Sequence, residues 1–138
     1  MLAGFRKYSA GFTLMELIII MVIIGILASI AIPGYQKTVE KGYGDKAKVI
    51  LQACYAAEKM YKLDHNTYGD LDLADSDNDL IGRGYIEDPN AGSPKFTYED
   101  EGTPTETAFE IRATRGSDGK YLAINQAGPV SAYWTWPQ

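Results

Sequence analysis

Apolar residues crowd into one run near the start of the chain, GFTLMELIIIMVIIGILASIAIP over Gly11–Pro33, and from Phe12 to Ile32 the only formal charge is Glu16. At about 1.5 Å per residue a helix over that run reaches roughly 32 Å, enough to cross a bilayer core of about 30 Å. Beyond Pro33 the composition changes but the helical period does not. Tyr35, Val39, Tyr43, Ala47, Ile50, Cys54, Ala57 and Tyr61 recur at steps of three or four, as along one stripe of a helix. Lys37, Glu40, Lys41, Asp45, Lys48 and Glu58 fall between them. The pattern predicts one helix from about Phe12 to about Leu63, lipid-facing in its first half and amphipathic in its second. Pro33 cannot donate a helical hydrogen bond, and Gly25, Gly42 and Gly44 each weaken a helix. Bending or local melting is expected at these positions.

The helical period ends before residues 65–94, HNTYGDLDLADSDNDLIGRGYIEDPNAGSP. This stretch is rich in Asp, Asn and Gly and predicts a long connecting loop with room for one short helix. Three strand candidates follow, Lys95–Tyr98, Phe109–Ala113 and Tyr121–Asn125, the last two alternating and rich in aromatic and β-branched residues. Ser117-Asp118-Gly119 is the expected turn between them, since glycine allows positive φ and aspartate caps the bend. The closing AYWTWPQ reads as a fourth strand or as cover for the sheet edge. The expected fold is therefore α+β, a long N-terminal helix packed on a small antiparallel sheet.

Composition sharpens this picture in three ways. At 138 residues the chain suits one domain plus a membrane segment, and the soluble remainder is too short for a deep core of its own. The formal net charge of −5, with no basic patch, argues against a nucleic-acid partner. One cysteine, Cys54, leaves no intramolecular disulfide, so the long helix must wall the core, with Cys54 buried in it.

The basic pair Arg6 and Lys7 precedes the apolar run, which keeps the N-terminus in the cytoplasm and sends the rest across. The run is longer than the apolar region of an ordinary secretory signal, although Ser29-Ile30-Ala31 fits a small-x-small cleavage site. Glu16 needs an explanation, because an ionised acid in hydrocarbon costs on the order of 2.5–3.5 kcal/mol. Snorkelling to the interface is one, since only about 6 Å of helix separates it from Phe12.

Little in the sequence supports catalysis, and none is expected. The one histidine, His65, falls at the expected helix end, and one His with one Cys assembles neither a catalytic triad nor a zinc site. Tyr35, Tyr43, Tyr55 and Tyr61 on the helix are explained by aromatic packing. Asp75, Asp77 and Asp79 alternate as at the start of a calcium loop. Leu80 stands where an EF-hand has its turn glycine, however, and Glu87 is one residue late for the bidentate acid. A non-EF calcium site and a solvated loop with Asx turns both fit.

The residues Gly11-Phe12-Thr13-Leu14-Met15-Glu16-Leu17, after a short basic leader and before an apolar helix with Pro33, closely resemble the class III signal of type IV pilins and pseudopilins. The likeness covers about the first 60 residues. It implies the pilin "lollipop" fold, divided as a leader over 1–11, a membrane and filament-core helix over 12–33, and an amphipathic helix plus head over 34–138. It implies that a prepilin peptidase cuts between Gly11 and Phe12 and N-methylates Phe12. It further implies that Glu16 neutralises the Phe12 amine of a neighbouring subunit during assembly, and that the helix loosens between Gly25 and Pro33 in the filament. A freshly made amine is a partner that would make a buried carboxylate tolerable.

The partners implied are copies of the chain in a helical filament, the prepilin peptidase, an inner-membrane assembly platform, minor pilins or pseudopilins, and lipid. The implied location is the bacterial inner membrane, then a periplasmic or surface filament. A type IV pilin is the leading expectation and a type II secretion major pseudopilin the alternative. A disulfide loop usual in pilins is missing, and Gly84-Tyr85-Ile86-Glu87-Asp88-Pro89 is similar to major pseudopilins, but their tryptophan-glycine pair after Asp-Pro is missing too. A secreted or anchored ligand-binding domain is a third, more distant reading.

Overall fold

The computed structural model describes residues 11–71, 80–92, 95–116, 119–128 and 130–132. A single helix, α1, spans Leu14–His65, close to the span that the apolar periodicity predicts, and Gly25 and Pro33 both lie within it. It ends two residues later than expected because Asn66 takes a left-handed turn (φ 61°) and returns its N–H to the Lys62 carbonyl at 2.8 Å. This is the simple helix stop that Asn, with its short polar side chain, makes at low cost. The chain divides into two compact units, one ending at Thr38 and the other beginning at Val39.

In the second unit four antiparallel strands line up in the order β1 (Thr97–Asp100), β2 (Glu110–Arg115), β3 (Lys120–Asn125) and β4 (Ser131–Ala132). Register sets the two faces. Pairs Ile111↔Ile124 and Ala113↔Leu122, with Tyr98↔Ala113, stack the buried side chains of three strands on one face. Ala47, Leu51, Cys54 and Tyr61 of α1 share that core, and Leu80, Phe96 and Phe109 fill its ends. On the alternate positions Arg112 reaches Glu101 at 2.7 Å and Glu110 at 2.9 Å and lies 4.5 Å from the Tyr121 ring centre. Arg115 at the end of β2 pairs with Glu40 of α1.

Two expectations shift. The strand expected at Lys95–Tyr98 forms at Thr97–Asp100 instead, although Glu99 and Asp100 have poor strand propensity. Its pairing with β2 and the Asn90 side chain decide this. Asn90 accepts the Tyr98 N–H at 2.8 Å and donates to the Tyr98 carbonyl at 2.9 Å, standing in for a further strand at that edge. The second shift concerns Glu58. The sequence places it between the apolar positions of the amphipathic half, yet it is 0% exposed, while Leu51, outside the expected stripe, is fully buried. The sheet covers a wider sector of the helix than the apolar stripe marks.

The connection after α1 folds as turns over its described part, with Gly84 at φ +78°. Gly119 takes φ +64°, as the expected hairpin turn requires, while Ser117 and Asp118 lie outside the described residues. Of the closing AYWTWPQ only Ala132 is described, as the end of β4, which pairs it with Leu122. Cys54 is buried as expected, and burial pushes its thiol up to about 12, so it is an inert core side chain.

Candidate processing and assembly segment

Gly11, Phe12 and Thr13 form an exposed extended lead into α1, and Thr13 caps the helix. The Thr13 N–H donates to Glu16 Oε2 at 2.8 Å, the Thr13 hydroxyl donates to the same oxygen at 2.9 Å, and the Glu16 N–H reaches back to the Thr13 hydroxyl at 3.2 Å. This reciprocal arrangement is a capping box, in which a Thr and a Glu three residues on satisfy each other's backbone donors. The Leu17 N–H closes the first turn on the Thr13 carbonyl at 3.3 Å. A carboxylate at this end of a helix also meets the positive end of the helix dipole. Within the chain, then, Glu16 has a local partner. The sequence signal for it is Thr-x-x-Glu ahead of an apolar run, which the charge of Glu16 alone does not reveal.

From Phe12 to Ile32 every large apolar side chain is exposed, with Phe12 at 80% and Ile30 at 73%. Soluble monomers rarely expose contiguous apolar patches above a few hundred Å², so this surface is built to be covered. The helix is long and apolar enough to cross a membrane. Its few polar groups are satisfied along the helix itself: the Ser29 hydroxyl donates to the Ile26 carbonyl at 2.7 Å, and Thr38 to the Gly34 carbonyl at 3.0 Å. Such back-bonding removes the cost of a hydroxyl in hydrocarbon.

The glycines of this segment are informative by what surrounds them. A Cβ placed on Gly11 or on Gly25 would meet nothing within 4 Å. The fold of the single chain therefore demands glycine at neither position, and any demand must come from a molecule that docks there.

The remaining candidates fall as follows. Asp75, Asp77 and Asp79 lie outside the described residues, and no group of three His, Cys, Asp or Glu side chains among the described residues is placed to hold a metal ion. His65 sits at the end of α1 as expected, stacked on Tyr61 at 4.2 Å, with Nδ1 3.2 Å from the Tyr61 carbonyl and Nε2 3.2 Å from Arg83. Tyr85 packs edge-on to Tyr61 and donates its hydroxyl to Asp64 at 2.5 Å, fastening the connection to the end of the helix. Tyr61 is buried and Tyr43 and Tyr55 half-buried, whereas Tyr35 is exposed.

A long helix, apolar and uncovered at its start and packed on an antiparallel sheet at its end, is a pilin-like α+β arrangement. Comparison with known proteins agrees. The family described as the prokaryotic N-terminal methylation motif matches residues 6–32. The chain is 42% identical over 67 residues to the type IV major pilin protein PilA of Myxococcus xanthus, covering 49% of this chain and 30% of that one. It is 41% identical over 63 residues to the type II secretion system core protein G of Aeromonas hydrophila, covering 46% and 44%. Against the same protein of Vibrio cholerae it is 42% identical over 66 residues, covering 48% and 45%. The chain spans less than half the length of each of these curated relatives. Together the motif and the relatives support the type IV pilin and major pseudopilin family.

Proposed function

We propose that this chain is a structural subunit of a type IV pilus-like filament, polymerised through the exposed apolar part of α1. The observation that carries this reading is the uncovered surface from Phe12 to Ile32 behind a single capped acid. In a bilayer, lipid covers that surface; outside it, only other copies of the same helix can. Burying it between copies in a head-to-tail, non-closing array makes a filament. Small side chains at Gly25, Ala28, Ser29 and Ala31 let helices approach closely, which explains glycine where the single chain has open space.

Processing follows from the same segment. A prepilin peptidase would cut between Gly11 and Phe12 and N-methylate the new amine of Phe12. The methylation motif over residues 6–32 supports this. Glu16 would then exchange its Thr13 donors for the Phe12 amine of a neighbouring subunit, since a full positive charge is the stronger partner for a carboxylate. The subunit would wait in the inner membrane with its N-terminus in the cytoplasm, and an assembly platform and minor subunits would draw it into the filament.

The mass of the mature N-terminus tests the first step, with a methylated Phe12 expected. A start at Ile32 would replace the reading with a secreted soluble domain. Glu16→Ala is expected to leave cleavage intact and to abolish filaments. Normal filaments from that variant would overturn the charge-pairing step.

A second reading, a major pseudopilin of a type II secretion system, is favoured by the similarity to core protein G from several organisms and by the lone cysteine. Deleting the gene and following export of secreted enzymes separates the two. Loss of export with pili retained supports the pseudopilin.

A further inference from the structure

Asp70 and Asp100 line a cavity of about 560 Å³, and Glu58 lies near enough for its charge to be felt by Asp100. Glu58 comes from α1, Asp70 from the segment that follows it and Asp100 from β1. Two of them hold the backbone of one short stretch. Glu58 Oε2 accepts the Gly69 N–H at 2.9 Å, and Asp100 Oδ2 accepts the Leu71 N–H at 2.6 Å. Between those two anchor points Asp70 lies beside Asp100 on the lining of the cavity. The other oxygens, Glu58 Oε1 and Asp100 Oδ1, are buried with no hydrogen-bond partner.

Carboxylates crowded together in a buried site cannot all stay ionised, because burial and like charge both favour the neutral acid. A bare buried oxygen is also far less costly on a neutral acid than on an ion. We propose that Glu58 and Asp100, with Asp70 between them, form a clasp held by the protons of Glu58 and Asp100. With its protons it fastens Gly69–Leu71 to α1 and β1. Without them mutual repulsion loosens that stretch and widens the adjoining cavity.

The surroundings suit this role. Cys54 of α1 and Tyr98 of β1 face the cluster, both held neutral by burial. The field of Lys59 reaches Glu58, but its ammonium turns to the Tyr68 hydroxyl at 3.2 Å and the Gln126 carbonyl at 3.4 Å. Asp88 and Glu99 line the same cavity and add negative charge. Burial, opposed by the Gly69 N–H, pushes Glu58 up to about 7. Burial first, and then the neighbouring Asp70, push Asp100 up to about 8. An acid with a raised pKa in the folded state binds protons that the unfolded chain releases. The clasp is therefore at its strongest below the ordinary carboxylate range and weakens as pH rises through about 7 to 8. It depends only on the packed unit and stands whether or not the chain forms filaments.

The test is amide hydrogen exchange by NMR on the full chain in detergent micelles, with rates divided by their intrinsic values. Protection of the Gly69 and Leu71 amides is expected to fall at least about tenfold from about pH 6 to about pH 9, with β2–β3 ladder amides unchanged. Glu58→Gln and Asp100→Asn keep an acceptor for each N–H but carry no titrating proton, and each should flatten that fall. Flat protection in the unaltered chain, an equal fall in the ladder, or an undiminished fall in both variants would overturn the clasp. Should the variants not fold, carbon-detected titration of the unaltered side chains decides. Midpoints near 7 for Glu58 and 8 for Asp100 are expected, and ordinary midpoints near 4 for both would overturn it.

Discussion

From Leu14 to Ile32 every large apolar side chain of α1 is exposed, whereas from Gly44 to Tyr61 the same helix sinks Ala47, Leu51, Cys54 and Tyr61 into a core shared with the sheet. The backbone geometry is the same in both stretches, but what stabilises them differs. The packed half is held by burial in the core that it shares with β2 and β3. The first half shares none, and its side chains are interchangeable from the viewpoint of the single chain and matter only to lipid or to another helix. Burial within the fold makes a head; in the proposed function, burial deferred to assembly makes a filament contact. Polar groups follow the same division. Glu16 is satisfied by its own capping residue at the surface, while Glu58 has one oxygen held across the fold by the Gly69 N–H and the other bare.

The sharpest way to break this comparison is to cut the same volume from each half. Leu51→Ala is expected to cost the packed unit about 2–5 kcal/mol, read as the urea midpoint of the full chain in detergent micelles. Ile23→Ala is expected to move that midpoint by no more than about 0.5 kcal/mol while lowering filament yield. Equal losses would mean the first half is a stabilising part of the fold.

Next in size is the pH dependence of that midpoint. Glu58 and Asp100 have raised folded-state values, so stability of the packed unit should fall as pH rises from about 5 to about 8.5. A midpoint that rises over that window would reverse the sign argued for both acids.

Thr13→Ala removes the cap hydroxyl and is expected to cost about 1 kcal/mol, confined to the first turn of α1. Faster amide exchange at Leu14–Leu17 with an unchanged head would show it; a change in the head would contradict the independence of the two halves. The smallest effect is expected at Arg112→Ala, which breaks partly exposed ion pairs with Glu101 and Glu110. Such pairs contribute about 0–1 kcal/mol, so the urea midpoint should barely move. A larger loss would show that the outer face of the sheet matters as much as the inner.

The helix, its approximate limits, the α+β class and the processing segment were legible in the sequence because each rests on local information. Period and length give the helix, and a charge inside an apolar run marks Glu16. Three features were not legible. The place of β1 was decided by Asn90 and by pairing to β2 against the preference of Glu99 and Asp100. The end of α1 was decided by the left-handed turn at Asn66. Glu58 looked like a surface charge because helical spacing says which residues share a face, not how far a neighbouring sheet reaches around it.

Sequence by itself determined that this chain carries a long apolar helix with one acid near its start, since hydrophobicity and its period are properties of the residues alone. Only the tertiary structure decided which charges stay in water. Glu58 is buried and Asp100 half-buried because the sheet and the segment after the helix close over them, and their backbone partners at Gly69 and Leu71 lie eleven and twenty-nine residues away. No local pattern encodes a partner at that distance, so the acids that most affect the head were the ones the sequence left looking ordinary.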